Sequence, residues 1–374
     1  MTMTLSNQPN YLVTNPKLTV RFGMENSNII EMLVGEGSQR AEYSMTDTSL
    51  LLWILAFREP TERHQVVALA VNDLQLTEDN ALELIEEMLS LQILCVCGEQ
   101  GLDIPQSELM WEKRGWRDAL DFHRATRDML WRHDYSGNPK VMTWYQYDRR
   151  VMPKEPEPIG KKIEDKWPKI SLPSITNNLG NVSYGKAIQQ RRTTRHFVRA
   201  PMSLQIFSDL LGYAFGYSGY KEGKGYTATP SYSLGKHVLI YPVIVNVDGL
   251  SPGVYLYNPE GHNLHQIRSG NFEEELIEYA QNGDFMKNIS VGVFYTVHWS
   301  QYMWKYRYPR AYRFALMELA GVVQTGLICA SGLGIKTFLT PAIADTKVAE
   351  LLEISNDLTE CPLYVTGFGY SRIH

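Results

Sequence analysis

The chain has 374 residues, 44% of them hydrophobic, and carries a formal net charge of −5. That balance predicts a globular protein with a large buried core and room for two domains, and it excludes the broad basic face with which general nucleic-acid binders displace counterions. Four cysteines are too few for a disulfide framework, no run approaches eighteen apolar residues, and "MTMTLSNQPNYLV" lacks a basic segment followed by a hydrophobic one. Neither a membrane span nor a secretory signal is therefore expected, and the predicted address is the cytoplasm.

Residues 46 to 104 predict a small helical unit that ends in a strand pair. "TDTSLLLWILAF" opens on the capping candidates Thr46, Asp47 and Thr48, and "TEDNALELIEEMLSLQIL" starts at Thr77 and repeats Leu82, Ile85, Met88 and Leu89 at helical spacing. Helices followed by "LQILCVCGEQGLDI" resemble a winged helix, as suited to an ordinary packing unit as to a platform for a peptide or a partner. DNA reading is disfavoured, because Glu83, Glu86 and Glu87 sit on the last helix, where a DNA-reading helix is basic. Cys95 and Cys97 alternate within the strand, and no second Cys or His pair answers them at a metal-site spacing.

"WEKRGWRDALDFHRATRDMLWRHDY" predicts one further helix, with Trp116, Leu120, His123 and Arg127 three and four residues apart. A lone histidine in such a helix is more often a packed group than a ligand or base. From Val151 to Ser174, Pro153, Pro156, Pro158, Pro168 and Pro173 interleave with charges and predict an extended connector. The expected organisation is an N-terminal region 1–150, a linker 151–174 and a C-terminal domain 175–374.

"IQQRRTTRHFVR", residues 188–199, concentrates Arg191, Arg192, Arg195 and Arg199 in a chain that is acidic overall. Arginine forks and threonine hydroxyls suit a phosphate, which takes several charge-assisted bonds, whereas the ordinary reading of such a run is a solvated face. A helix follows, with Ser203 as its cap and Leu204, Phe207, Leu210, Leu211 and Ala214 on one face.

"AIQQRRTTRHF" resembles the Arg-Arg-Ser-x-Arg opening signature of the flavin-dependent nitroreductase superfamily. "TPSYSL", "VDGLSPGVYLYNPEGHNLHQI", "WKYRYPRAYRFALMELAGVVQTGLICASGLGIKTF" and "CPLYVTGFG" resemble its SagB-type dehydrogenase branch, the azoline oxidases of thiazole and oxazole peptide biosynthesis. The resemblance covers roughly residues 180 to 370. It implies an α+β fold in which a central mixed sheet is flanked by helices, an FMN cofactor and a homodimer, all behind the winged-helix-like N-terminal region. It also implies FMN phosphate and ribityl contacts from Arg191, Arg192, Thr193 and Arg195, with Thr193 standing in for the signature's serine. Pro230 and Ser231 would open the Pro-Ser loop near the flavin, although "YSLGKH" departs from the small residues and His-Pro that usually follow. Gly332, Gly334 and Lys336 would border the cofactor, Arg372 would add a phosphate contact, and the helix bearing Ala320, Gly321, Gly326 and Ala330 would lie in the dimer core.

Turning an azoline into an azole removes a proton from the ring α-carbon and a hydride from the neighbouring carbon, so a flavin needs a base beside it. The resemblance places the family's Lys-Tyr pair at Lys305 and Tyr306. It also implies a modified precursor peptide as substrate, a cyclodehydratase complex as partner and oxygen as the final acceptor. Two alternatives stay open. An NAD(P)H-dependent nitro- or quinone reductase would need neither the N-terminal region nor the pair, and a non-catalytic scaffold would be expected to lose the flavin arginines.

Overall fold

The computed structural model describes residues 11–35, 40–127, 161, 163–221, 224–229, 237–281, 283–306, 309–355 and 358–372. Two compact units divide the chain, Met1–Val141 and Met142–His374.

The first unit runs β1 (Tyr11–Thr14), β2 (Thr19–Phe22), β3 (Ile30–Val34), β4 (Ala41–Met45), α1 (Thr48–Ala56), β5 (Thr61–Glu62), α2 (Arg63–Asp73), α3 (Glu78–Ser90), β6 (Leu94–Cys97), α4 (Gln106–Lys113) and α5 (Arg117–Thr126). Asp47 caps α1 by accepting from the Ser49 and Leu50 amides at 2.8 and 3.2 Å, and Thr77 caps α3 by accepting from Asn80 at 3.3 Å. On α3 the buried face is Ala81, Ile85 and Met88, while Leu82 stands in solvent. Two three-stranded antiparallel sheets, β5-β1-β6 and β2-β3-β4, share a core with the helices around Ile30, Trp53, Ile54, Phe57 and Ile85. The four strands ahead of α1 carry too short and mixed a pattern to announce themselves in sequence. They also give β6 its partner, since β6 pairs with β1 and not with the residues just after it. The single helix expected from Trp111 is two over the described residues, because Gly115 adopts φ +74° between α4 and α5, a left-handed conformation that ends a helix, and residues 128–135 of that stretch lie outside the described residues. His123 packs its ring 6.1 Å from Trp111.

The second unit contains β7 (Lys169–Ser171), α6 (Tyr184–Gln190), α7 (Leu204–Phe215), β8 (Tyr217–Lys221), β9 (Lys224–Thr227), β10 (Val238–Ile244), β11 (Gly253–Asn258) and β12 (Asn263–Ser269). It continues with α8 (Glu273–Tyr279), β13 (Val291–His298), α9 (Trp299–Lys305), α10 (Ala311–Gly332), β14 (Lys336–Thr340), α11 (Asp345–Leu351) and β15 (Glu360–Gly369). Seven strands form one sheet in the order β14-β15-β13-β10-β11-β12-β7. Among the described residues every pairing in it is antiparallel, and the parallel component expected of a mixed sheet is confined there to single bridges such as Thr193 to Thr337.

All of β13 is buried, because helices cover both faces of the sheet. On one face α7 and α10 bring Phe207, Leu211, Leu319, Val323 and Leu327 onto Ile240, Val293 and Tyr295. On the other, Leu276 of α8 and Val348 and Leu351 of α11 pack on Tyr241, Phe294 and Val365. Helix α10, long and apolar enough by composition to cross a membrane, is the core helix of this layer. At Gly326 a Cβ would stand 2.9 Å from Phe215, so the glycine lets α10 close onto α7. The small residues expected in a dimer core thus divide, with Gly326 and Ala330 buried in the domain's own core while Ala320 lies on the open face beside Tyr312, Leu316 and Met317.

Of the expected connector, residues 151–160 and 162 lie outside the described residues, and the rest is built into this unit. β7 pairs with β12 at the edge of the sheet, Trp167 and Leu172 are buried, and the Lys161 ammonium lies 3.3 Å from the buried Glu360 carboxylate and over the Trp167 and Tyr241 rings. Pro168 and Pro173 flank an edge strand, where a missing N–H costs no ladder bond. A chain starting at residue 160 should therefore fold, whereas one starting at 175 loses Trp167 and an edge strand and strands Glu360 without its counter-charge. We expect the second to be insoluble or to melt far lower, as urea unfolding of the two would show, because truncating a buried Trp alone costs about 3–5 kcal/mol.

The buried Asp209 and the half-buried His262 hold the strap between β7 and α6. Asp209 accepts from the Thr176 amide and hydroxyl and from Asn178 and Gln205 at 2.6–3.0 Å. Burial pushes its carboxyl up, but these donors together outweigh that and hold it below the usual range. His262 sits between Ser208 Oγ (2.8 Å), Pro173 O (3.2 Å) and Tyr257 Oη (2.9 Å). Ser208 spends its own proton on Pro173 O at 2.6 Å, so the pair is a structural contact and not a nucleophile with its base. Burial lowers the His262 pKa from 6.5, so the fold favours the neutral ring. That contribution is complete above the unfolded value and is lost as pH falls through the lower folded value. The drop in melting temperature between pH 7 and pH 5 should accordingly be smaller in His262→Gln than in the parent chain, and parallel curves would rule the ring out as a source of it.

Candidate functional site

Ser183 caps α6 by accepting from the Lys186 amide at 3.2 Å, and α6 ends directly in the arginine run. Ser331 Oγ of α10 donates to Ala187 O at 2.7 Å and ties the C-terminal ends of the two helices together. The chain leaves α10 through Gly334 at φ +77°, where a side chain would be strained. It enters β14, whose Thr337 carbonyl accepts from the Thr194 amide at 2.8 Å. Around this junction lies a cavity of about 360 Å³ lined by Gln189, Gln190, Arg191, Arg192, Ser331, Gly334, Ile335, Lys336 and Thr337.

Three cations therefore meet at one opening of an acidic protein. Two helix C-termini also end there, and their negative partial charge by itself would repel an anion. Arg192 is held by its own backbone, donating from Nη1 to Gln189 O and Arg191 O at 2.9 and 2.8 Å. Among the described residues neither Arg191 nor Lys336 is spent on a side-chain ion pair. Burial pushes the nearby Cys329 thiol up to about 11, which keeps it a neutral thiol at physiological pH. A Cβ built at Gly334 would meet nothing within 4 Å, so the glycine leaves the mouth open. The donor set of guanidinium and ammonium groups fits a phosphate-bearing cofactor.

The other sequence-derived candidates are placed as follows. Thr193 contributes through its backbone bridge to Thr337. Arg195 lies outside the lining and stands over the Phe285 ring at 5.6 Å, and Arg199, never a site candidate, makes both its contacts with Glu273 at 2.7 and 2.8 Å. A Cβ at Gly332 would run into Leu179, so this glycine packs α10 and does not line the cavity. Arg372 is exposed beyond β15 and outside the lining. Pro230 and Ser231 lie outside the described residues, as does the side chain of Lys305. Sequence reasoning missed Gln189, Gln190, Ser331 and Thr337, whose only signal was adjacency to the arginine and glycine motifs.

Lys305 ends α9, and Tyr306 caps it with its amide donating to Tyr302 O at 2.9 Å. The Tyr306 ring is 8% exposed and rests on Tyr302 at 5.0 Å and Phe314 at 6.4 Å. At the other end of α9, Trp299 donates its amide to Thr359 O at 2.7 Å and stacks on Tyr312 at 5.0 Å. The aromatic residues that crowd this segment thus form a packed seat that fixes the helix carrying the pair.

Residues 188–370 match the family model described as the nitroreductase family. Trifolitoxin operon protein TfxC of Rhizobium leguminosarum bv. trifolii is 27% identical over 355 residues, 87% of this chain and 92% of that protein. Trifolitoxin-processing protein TfxB of the same organism is 23% identical over 257 residues, covering 63% of this chain and 66% of that protein. Among solved structures, the E. coli microcin synthetase McbBCD complex with truncated pro-MccB17 bound is similar at a TM-score of 0.44 and 19% identity, over 72% of this chain and 95% of that one.

Proposed function

We propose that the chain, whose residues 188–370 match the nitroreductase family model, is an FMN-dependent oxidoreductase that dehydrogenates thiazoline or oxazoline rings in a peptide to the aromatic azoles. The observation that carries the reading is the cavity where Arg191, Arg192 and Lys336 converge. Arg191 and Lys336 would hold the FMN phosphate, Arg192 would assist, and Gly334 would leave room for the ribityl chain. FMN, when bound, supplies the hydride acceptor. The chain's own task is the proton, which Tyr306, with Lys305 beside it, would take from the ring α-carbon. Kinship with trifolitoxin proteins, one of them named for processing, supports a peptide substrate.

The same kinship supports work within a set of biosynthetic partners, and the N-terminal unit is our candidate for holding the peptide or a cyclodehydratase. The open apolar face of α10, with Met317 60% exposed, supports a homodimer formed there. Anaerobic mixing of the FMN-loaded protein with an azoline peptide should bleach the flavin and yield azole, while NAD(P)H alone should not. Bleaching by NAD(P)H without any response to the peptide would replace this reading with the nitro- or quinone-reductase one. A chain starting at residue 160 should keep FMN yet bind the peptide or its processing partner poorly, and unchanged affinity would give the N-terminal unit a purely structural role.

A further inference from the structure

The buried polar groups beneath α9 have no part in the chemistry described so far. His237, 4% exposed, immediately precedes β10, and Gln301, 7% exposed, lies in the first turn of α9. His237 Nδ1 is 3.3 Å from Gln301 Oε1, so the ring is a donor at Nδ1 and the amide oxygen accepts. The same imidazole sets its edge on the Tyr302 ring at 5.4 Å and 74°. Tyr302 in turn carries Tyr306, through its ring at 5.0 Å and through its carbonyl, which accepts from the Tyr306 amide. His237 therefore meets α9 twice, at consecutive residues, and one of those residues is the seat of Tyr306. Its own backbone is fixed as well, since His237 O accepts from the His298 amide at 2.8 Å at the end of the β10–β13 ladder. A buried hydrogen bond that merely filled space would be replaceable by apolar packing; one that joins a rigid sheet end to a two-turn helix sets where that helix lies.

We propose that His237 and Gln301 are positioning residues for Tyr306: their hydrogen bond registers α9 on the end of the sheet and thereby aims the Tyr306 hydroxyl. The inference rests on the reading of Tyr306 as the proton acceptor. His237→Phe keeps an aromatic edge for Tyr302 but deletes the donor to Gln301, and Gln301→Leu deletes the acceptor. His237→Asn restores a donor at the spacing of Nδ1.

The experiment places 3-fluorotyrosine at position 306 and records its ¹⁹F resonance in the full-length protein, alongside anaerobic flavin reduction by an azoline peptide. His237→Phe and Gln301→Leu should each move the resonance and slow reduction by roughly 10- to 100-fold, the cost of a displacement near 1 Å. Their combination should be no worse than either alone, and His237→Asn should return both readouts toward the parent values. A resonance unmoved by either substitution would overturn the proposal, and so would a moved resonance with an unchanged rate. A parent-level rate in Tyr306→Phe would instead defeat the reading of Tyr306 as base, and the resonance would still report whether His237 and Gln301 hold it in place.

Discussion

Replacing Tyr306 with phenylalanine or Lys305 with alanine should slow azole formation by roughly 10²- to 10⁴-fold, the range for a lost general base, and leave FMN bound. The tyrosine substitution is a clean test in this structure. The ring of Tyr306 is buried against Tyr302 and Phe314, so deleting one oxygen leaves its packing and the cap of α9 in place. A melting temperature measured beside the rate separates chemistry from unfolding. Tyr306 lies outside the lining of the cationic cavity, so the flavin content of Tyr306→Phe should match the parent. Stopped-flow absorbance after anaerobic mixing with peptide separates the steps: peptide affinity should hold while bleaching slows, because hydride departure depends on the α-proton leaving. Bleaching at the parent rate in both variants would remove the pair from the mechanism.

Much of the second unit was legible because its signals are local. The arginine run, the glycine turn after α10 and the Ser203 cap, which accepts from the Ile206 amide at 3.2 Å, each need only a few consecutive residues to be recognised. What escaped depends on contacts remote in sequence. β7 reads as connector because the four residues between Pro168 and Pro173 carry no period of their own, and only pairing with β12, some ninety residues on, makes three of them a strand. The strands ahead of α1 were missed for the same reason. Leu82 shares the helical spacing of Ile85 and Met88 yet stands in solvent, because spacing gives a stripe without its edges. The division of labour within the arginine run was equally out of reach, since Glu273 and Phe285, which engage Arg199 and Arg195, lie 74 and 90 residues further along. His237 and Gln301 are invisible as a pair: a histidine just ahead of a strand and a glutamine in a helix acquire meaning only from the 3.3 Å between them.

That division leads to the second large effect, because the four arginines should not behave alike. Arg191 caps α6 through its backbone amide, which donates to Ala187 O and Ile188 O at 3.1 and 3.3 Å, so Arg191→Ala keeps the cap and removes only the guanidinium. Lys336→Ala likewise leaves the β14–β15 ladder intact. Each should weaken FMN binding by roughly 10- to 150-fold, the equivalent of one charge-assisted bond worth about 1.5–3 kcal/mol, and the double variant should purify colourless yet folded. Arg195→Ala should lose less, since Arg195 lies outside the cavity lining and over Phe285. Arg199→Ala should bind FMN as the parent does, because its guanidinium is committed to Glu273, whose carboxylate also accepts from the Asn288 amide at 3.3 Å. FMN released per protomer on denaturation, together with titration of the stripped proteins, would rank the four. If Arg191→Ala and Lys336→Ala retain stoichiometric flavin while Arg195→Ala loses it, the phosphate lies on the Phe285 side of the arginine run and not in the cavity between α6 and α10.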